Sequence, residues 1–179
     1  MRLFFAINFS DIIKSKLAAL RDELRVNSVQ GNFSVTENLH LTLAFLGECD
    51  IRQLSDAKAV LDSLIIETMD VCVDRIGRFK RDDGDIWWAG IADNKNLFSL
   101  QQDLADKLIY AGFKLENRKY IPHITFARKV VTDIQPWKTA VFGDTVRSVE
   151  LMKSERMQGK LVYTKMYGKN IGGDINYDL

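Results

Sequence analysis

His40-Leu41-Thr42-Leu43-Ala44 and His123-Ile124-Thr125-Phe126-Ala127 decide how this sequence is read, and they lie 83 positions apart in a chain of 179 residues. The chain has two histidines, and each stands two places before a threonine. With eight threonines in the sequence, both coincidences would arise by chance with a frequency of about 0.002. Side chains alternate faces along a strand, so His and Thr at i and i+2 project together. Leu41, Leu43 and Phe45, or Ile124 and Phe126, then point the other way into a core. Each stretch is expected to be a half-buried strand that offers an imidazole beside a hydroxyl.

Outward from these two strands the periodicity predicts an α+β chain with mainly antiparallel pairing. Ahead of the first lie a buried strand over 3–9, an N-cap at Ser10-Asp11, a helix over 12–26 and a short strand near 32–35. The His40 strand, over 40–46, is stopped by Gly47, and helical spacing resumes over 51–68. Strands over 71–76 and 86–91 and a helix over 96–110, ended by Gly112, lead to the second His strand over 123–128. A short helix around Trp137, strands over 146–153 and 161–167 and a glycine-rich tail from Gly168 complete the chain. No linker composition separates the halves, so residues 1–179 are expected to form a single two-lobed domain.

Composition narrows the classes of function. Hydrophobic residues make up 46% of the chain, enough for a sizeable core, and 25 basic against 24 acidic residues give no global field toward duplex DNA or an anionic membrane. Any nucleic-acid contact must be local. Cys49 and Cys72 are too few for a disulfide framework or a four-cysteine zinc site and suit a reducing cytoplasm. No apolar stretch reaches the length of a membrane span, so no membrane partner is expected, and a monomer is.

Two imidazoles and two hydroxyls brought to one small volume suit phosphate chemistry. A base must take the proton of the attacking oxygen and an acid must protonate the departing one; histidine, with an ordinary pKa of about 6.5, serves either role. Thr42 and Thr125 would donate to the non-bridging oxygens as phosphorus becomes five-coordinate. Two histidines make an incomplete zinc site, and no HExxH pair or Cys-His cluster supplies the rest, so neither metal nor cofactor is expected. A strand histidine satisfied by a nearby carbonyl would explain one motif. Two copies that use every histidine in the chain point to a site.

At these residues the chain resembles the 2H phosphoesterase superfamily, named for its paired His-x-Thr/Ser-x motifs, and within it the RNA 2',3'-cyclic phosphodiesterases formerly described as 2'-5' RNA ligases. The residues from Arg2 to Ile7 look like the family's opening strand. Those from Glu37 to Glu48 resemble its first signature and those from Pro122 to Arg128 its second. Gly77-Arg78-Phe79 with Ile86-Trp87-Trp88-Ala89-Gly90 looks like its middle hairpin, and Tyr163 falls at a late tyrosine. The resemblance implies two pseudo-symmetric lobes, each an antiparallel sheet with outer helices, around a central cleft. It also implies conversion of a 2',3'-cyclic phosphate to a 2'-phosphate, with His40 as proton donor and His123 as proton acceptor, acting on RNA 3' ends or nucleoside 2',3'-cyclic phosphates. Two departures stand out: Asp83-Gly84-Asp85 replaces a basic residue of many relatives, and Phe126 replaces the more usual leucine.

Further contacts are expected from Arg128, whose guanidinium suits phosphate, and from Tyr163 and Phe79, which could stack on a nucleobase. Counted from His123 along a regular strand, position 128 falls on the opposite face, so Arg128 reaches the cleft only where the strand bends or ends first. Alternation allows at most one of Trp87 and Trp88 to face the cleft. The same two histidines would also serve a reversible 2'-5' RNA ligase, with an RNA hydroxyl in place of water. A third reading is an RNA-end binding module without useful turnover, which would tolerate Lys or Arg in place of titratable His.

Overall fold

Alternating and continuous apolar runs become nine strands, and three amphipathic stretches become helices, in a computed structural model that describes residues 1–171. In chain order these are β1 (Arg2–Ile7), α1 (Asp11–Val26), β2 (Ser28–Phe33), a 3₁₀ turn (Thr36–Asn38), β3 (Leu41–Glu48), α2 (Ile51–Ser63), β4 (Asp70–Phe79), β5 (Asp85–Ile91), α3 (Lys95–Tyr110), β6 (His123–Thr132), β7 (Trp137–Thr145), β8 (Ser148–Met157) and β9 (Lys160–Asn170). α2 is started by a capping box in which Asp50 and Gln53 satisfy each other's backbone N–H. Asn94 caps α3 by accepting from the Leu97 N–H at 3.0 Å. Ser10 stands at the N-cap of α1, but its hydroxyl makes no capping bond.

Every strand pairing is antiparallel. The order β7-β4-β5-β6-β3-β1-β8-β9, with β2 also on β6, forms one nine-stranded sheet. The two sheets expected from the lobed architecture are thus joined, and the joint is narrow: β3 and β6 meet at the single pair Leu41 and Ile124. One wing holds β3, β1, β8 and β9; the other holds β2, β6, β5, β4 and β7. α1 packs on β2, the 3₁₀ turn and β7, while α3 packs on β3 and α2 rests on β8, β9 and α3. The main core lies between helices and sheet and includes Leu3, Phe5, Ile7, Leu41, Leu43, Ile124 and Phe126. On the opposite face of β1 a small second cluster gathers Phe4, Ala6 and Met152, with Tyr163 against it.

Several expectations are corrected. The segment around Trp137 is strand β7, not helix: Trp137 pairs with Ile76 of β4, and the aromatic and β-branched residues Trp137, Thr139, Val141 and Phe142 suit a pleated ladder. α2 stops at Ser63, and Leu64 is already extended (φ −70°, ψ 141°) ahead of β-branched Ile65, Ile66 and Thr68. β2 runs Ser28–Phe33, earlier than the expected 32–35. The glycine-rich tail begins inside β9, which runs through Gly168 to Asn170, and residues 172–179 lie outside the described residues.

Candidate active site

In β3 and β6 a bulge follows the His-x-Thr motif at the same position. Ala6 pairs with Thr42 and Phe5 with Ala44, which leaves Leu43 as the extra residue in β3. Trp88 pairs with Thr125 and Trp87 with Ala127, which leaves Phe126 extra in β6. The carbonyls displaced by such bulges need partners. Gln101 of α3 donates to Leu43 O at 3.3 Å, and the Ser34 N–H donates to Phe126 O at 2.8 Å.

Antiparallel pairing of Leu41 with Ile124 creates a local two-fold relationship. Both side chains are fully buried, so alternation places His40, Thr42, His123 and Thr125 together on the other face. The register runs His40 toward Thr125 and Thr42 toward His123. The four residues read from the sequence therefore meet at the seam between the wings.

The two imidazoles are held alike. His40 Nδ1 donates to the carbonyl of Asn38 at 2.7 Å, and His123 Nδ1 donates to the carbonyl of Ile121 at 2.6 Å, each two residues back along the chain. A carbonyl only accepts, so Nδ1 carries a proton in both rings and Nε2 is the nitrogen left for chemistry. His40 Nε2 lies 3.0 Å from Thr42 Oγ1; His123 Nε2 has no hydrogen-bond partner among the described residues. The turn that supplies the Asn38 carbonyl is itself tied down. Lys14 donates to Glu37 O at 3.0 Å, buried Arg21 to Ser34 O at 2.7 Å, and the Asn38 amide to Leu161 O of β9 at 2.9 Å.

Each imidazole also sits in a triangle of aromatic rings. Phe4 and Tyr163 lie 4.9 and 5.1 Å from His40, and 5.0 Å from each other. Phe79 and Trp88 lie 5.1 and 6.0 Å from His123, and 5.1 Å from each other. Tyr163 and Phe79 are the rings expected at the site; Phe4 joins them although its place in the opening apolar strand reads as core. Of the tryptophan pair, Trp88 faces His123 and Trp87 is fully buried on the other side.

Burial sets the titration of both rings. It lowers His40 to about 4, with the Asn38 carbonyl opposing and the Lys14 and His123 charges adding to the fall. His123 is lowered by burial first, against the Ile121 carbonyl, with Arg118 and Arg128 adding to the shift. The second of these arginines answers the question of parity. The bulge at Phe126 leaves both Phe126 and Ala127 buried and turns exposed Arg128 back to the His123 face, where its charge bears on both His123 and Tyr163. Among the described residues, no three His, Cys, Asp or Glu side chains gather closely enough to hold a metal ion. Nor is any helix among them long and apolar enough to cross a membrane.

Known proteins resemble this chain in sequence and in fold. Residues 8–88 match the family model described as LigT like Phosphoesterase. An RNA 2',3'-cyclic phosphodiesterase of Methanocaldococcus jannaschii is 32% identical over 86% of this chain and 91% of its own length. One of Thermotoga maritima is 30% identical over 72% of this chain and 70% of its own length. Escherichia coli LigT, solved in complex with 3'-AMP, shares the fold with a TM-score of 0.85 at 24% identity, over 96% of this chain and 98% of that one.

Proposed function

The chain belongs to the LigT-like phosphoesterase family of RNA 2',3'-cyclic phosphodiesterases, and from that premise we propose that it opens the 2',3'-cyclic phosphate at RNA ends to a 2'-phosphate by paired histidine acid-base catalysis. The observation that carries this reading is the two-fold relationship at Leu41 and Ile124, which directs one imidazole and one hydroxyl from each wing at a shared volume. Displacement at phosphorus requires attacking and leaving oxygens on opposite sides, and a two-fold pair of Nε2 atoms matches that need.

Water attacks phosphorus while neutral His123 Nε2 takes its proton. The P–O3' bond breaks, the electron pair stays with O3', and protonated His40 Nε2 supplies the proton that makes the 3' hydroxyl. The phosphate remains on O2'. Thr42 and Thr125 donate to the non-bridging oxygens as charge gathers on them, and Arg128 meets the phosphate or the RNA backbone. The donor and acceptor roles of the two rings rest on the family resemblance.

A low pKa for His40 in the free site is compatible with its role as an acid. Phosphate brings a negative charge beside the ring and favours the imidazolium. Substrate binding therefore charges the acid that the reaction consumes, and exchange with solvent resets both rings after turnover.

The test is to treat the protein with EDTA and incubate it with a nucleoside 2',3'-cyclic phosphate and with a short RNA carrying the same end, following products by phosphorus NMR. A 2'-phosphate is the expected product. A 3'-phosphate, or no product from either substrate, overturns the proposal.

A further inference from the structure

Phe45, expected in the core with Leu41 and Leu43, is instead 43% exposed while those two are buried, because the bulge at Leu43 reverses the alternation beyond it. Its face is fixed by pairing: Phe45 stands opposite Phe4 in the β1–β3 ladder, and Phe4 is the ring that lies tilted against His40. Phe45 is thus on the face of the site, one step beyond the His40 aromatic triangle. The bulge that turns Arg128 toward the site in β6 has its twin in β3, and Phe45 holds the position there that Arg128 holds in the other wing.

Over this ring lies the guanidinium of Arg2, 5.0 Å from the ring centroid. Arg2 neighbours Ser154 in the sheet, and Ser154 neighbours Tyr163, so the pair borders the His40 pocket. Glu48, which faces Arg2 across the strands, engages the Met1 amino group at 3.3 Å, and Arg2 makes no ion pair among the described residues. The charges of Arg2 and Arg128 both bear on Tyr163. An exposed ring with a stacked guanidinium that has no ion-pair partner among the described residues suits a ligand that is both planar and anionic. An apolar partner would leave the charge unanswered, and a free phosphate would leave the ring unused.

We propose that Arg2 and Phe45 form a stacking platform for the nucleobase that precedes the terminal nucleotide of the RNA, with Arg2 meeting the intervening phosphodiester. The inference rests on the cyclic-phosphodiesterase reading and extends it: the protein selects an RNA strand over a mononucleotide. Aromatic platforms hold single strands in this way because every base offers a π face.

The experiment compares kcat/KM for a trinucleotide ending in a 2',3'-cyclic phosphate with that for the corresponding mononucleotide. Phe45→Ala is expected to lower the trinucleotide-to-mononucleotide ratio by roughly 5- to 100-fold, and Phe45→Trp to restore it. Arg2→Ala should lower the ratio and weaken its dependence on salt. An unchanged ratio in Phe45→Ala overturns the platform. Should the unmodified protein open neither ring, the hydrolase reading fails, and the platform is judged by fluorescence anisotropy of a labelled trinucleotide with a 2'-phosphate end. The same loss of affinity in Phe45→Ala supports it; equal affinities, or no binding at all, overturn it.

Discussion

Leu41 and Ile124 face each other in the one ladder pair that, among the described residues, joins the two wings of the sheet, and each is flanked by a histidine and a threonine. Their side chains are buried directly behind the site, so packing there and geometry in front are coupled. Ile124→Ala is expected to cost about 2–5 kcal/mol in denaturant unfolding, and Ile124→Val about 0.5–1.5 kcal/mol. The alanine variant should lose turnover even under conditions where it remains folded, because both motifs shift with the pair.

Replacing either histidine removes a proton carrier without emptying the core. His40→Ala and His123→Ala should each reduce kcat on a cyclic phosphate by at least about 100-fold, with little change in melting temperature. Near-normal turnover in either variant would exclude that ring from the chemistry.

The threonines act through hydroxyls rather than bulk. Thr42→Ala and Thr125→Ala should lower kcat by roughly 10- to 1000-fold, and Thr→Ser at either position should recover most of the loss. If alanine has no effect, these residues serve strand packing alone.

The depressed pKa of His40 ties stability to pH. Its folded value, about 4, lies below the ordinary 6.5, so above pH 6.5 both folded and unfolded forms are neutral and the ring contributes nothing. As pH falls from 6.5 toward 4 the unfolded chain takes the proton first, and stability declines across that window. Urea midpoints should fall less over this range in His40→Gln than in the unmodified protein. In proton NMR the His40 ring should titrate near 4 in the free protein and move upward when inorganic phosphate is added.

Gly77 lies beneath Trp88, close enough that a Cβ would collide with the indole ring. Gly77→Ala must therefore displace Trp88 from its place beside His123. Turnover should fall while strand β4 is retained, and the Trp fluorescence should shift; unchanged turnover would show that the indole has no part in placing His123.

Much of the fold was legible because its signals are local. Helix spacing located α1, α2 and α3, and the His-x-Thr repeat located the four residues at the seam. The misreading of Trp137 arose where an edge strand carries mixed polar and apolar residues and its pairing with Ile76 is remote in sequence. The face of Arg128 was undecidable from the sequence because a bulge is a relation between two strands: Phe126 becomes the extra residue only against Trp87 and Trp88. Likewise Tyr163 reaches His40 from β9, and Phe79 reaches His123 from β4, contacts that alternation along one strand cannot reveal.

The wings are not the halves of the chain. One is woven from β1, β3, β8 and β9, the other from β2, β4, β5, β6 and β7, so the sequence echo at half-length does not mark two separable modules. A chain cut in the loop between β5 and α3 leaves both wings short of strands in either fragment. Activity should return only when the two fragments are mixed and associate, which makes turnover a direct assay of fragment complementation.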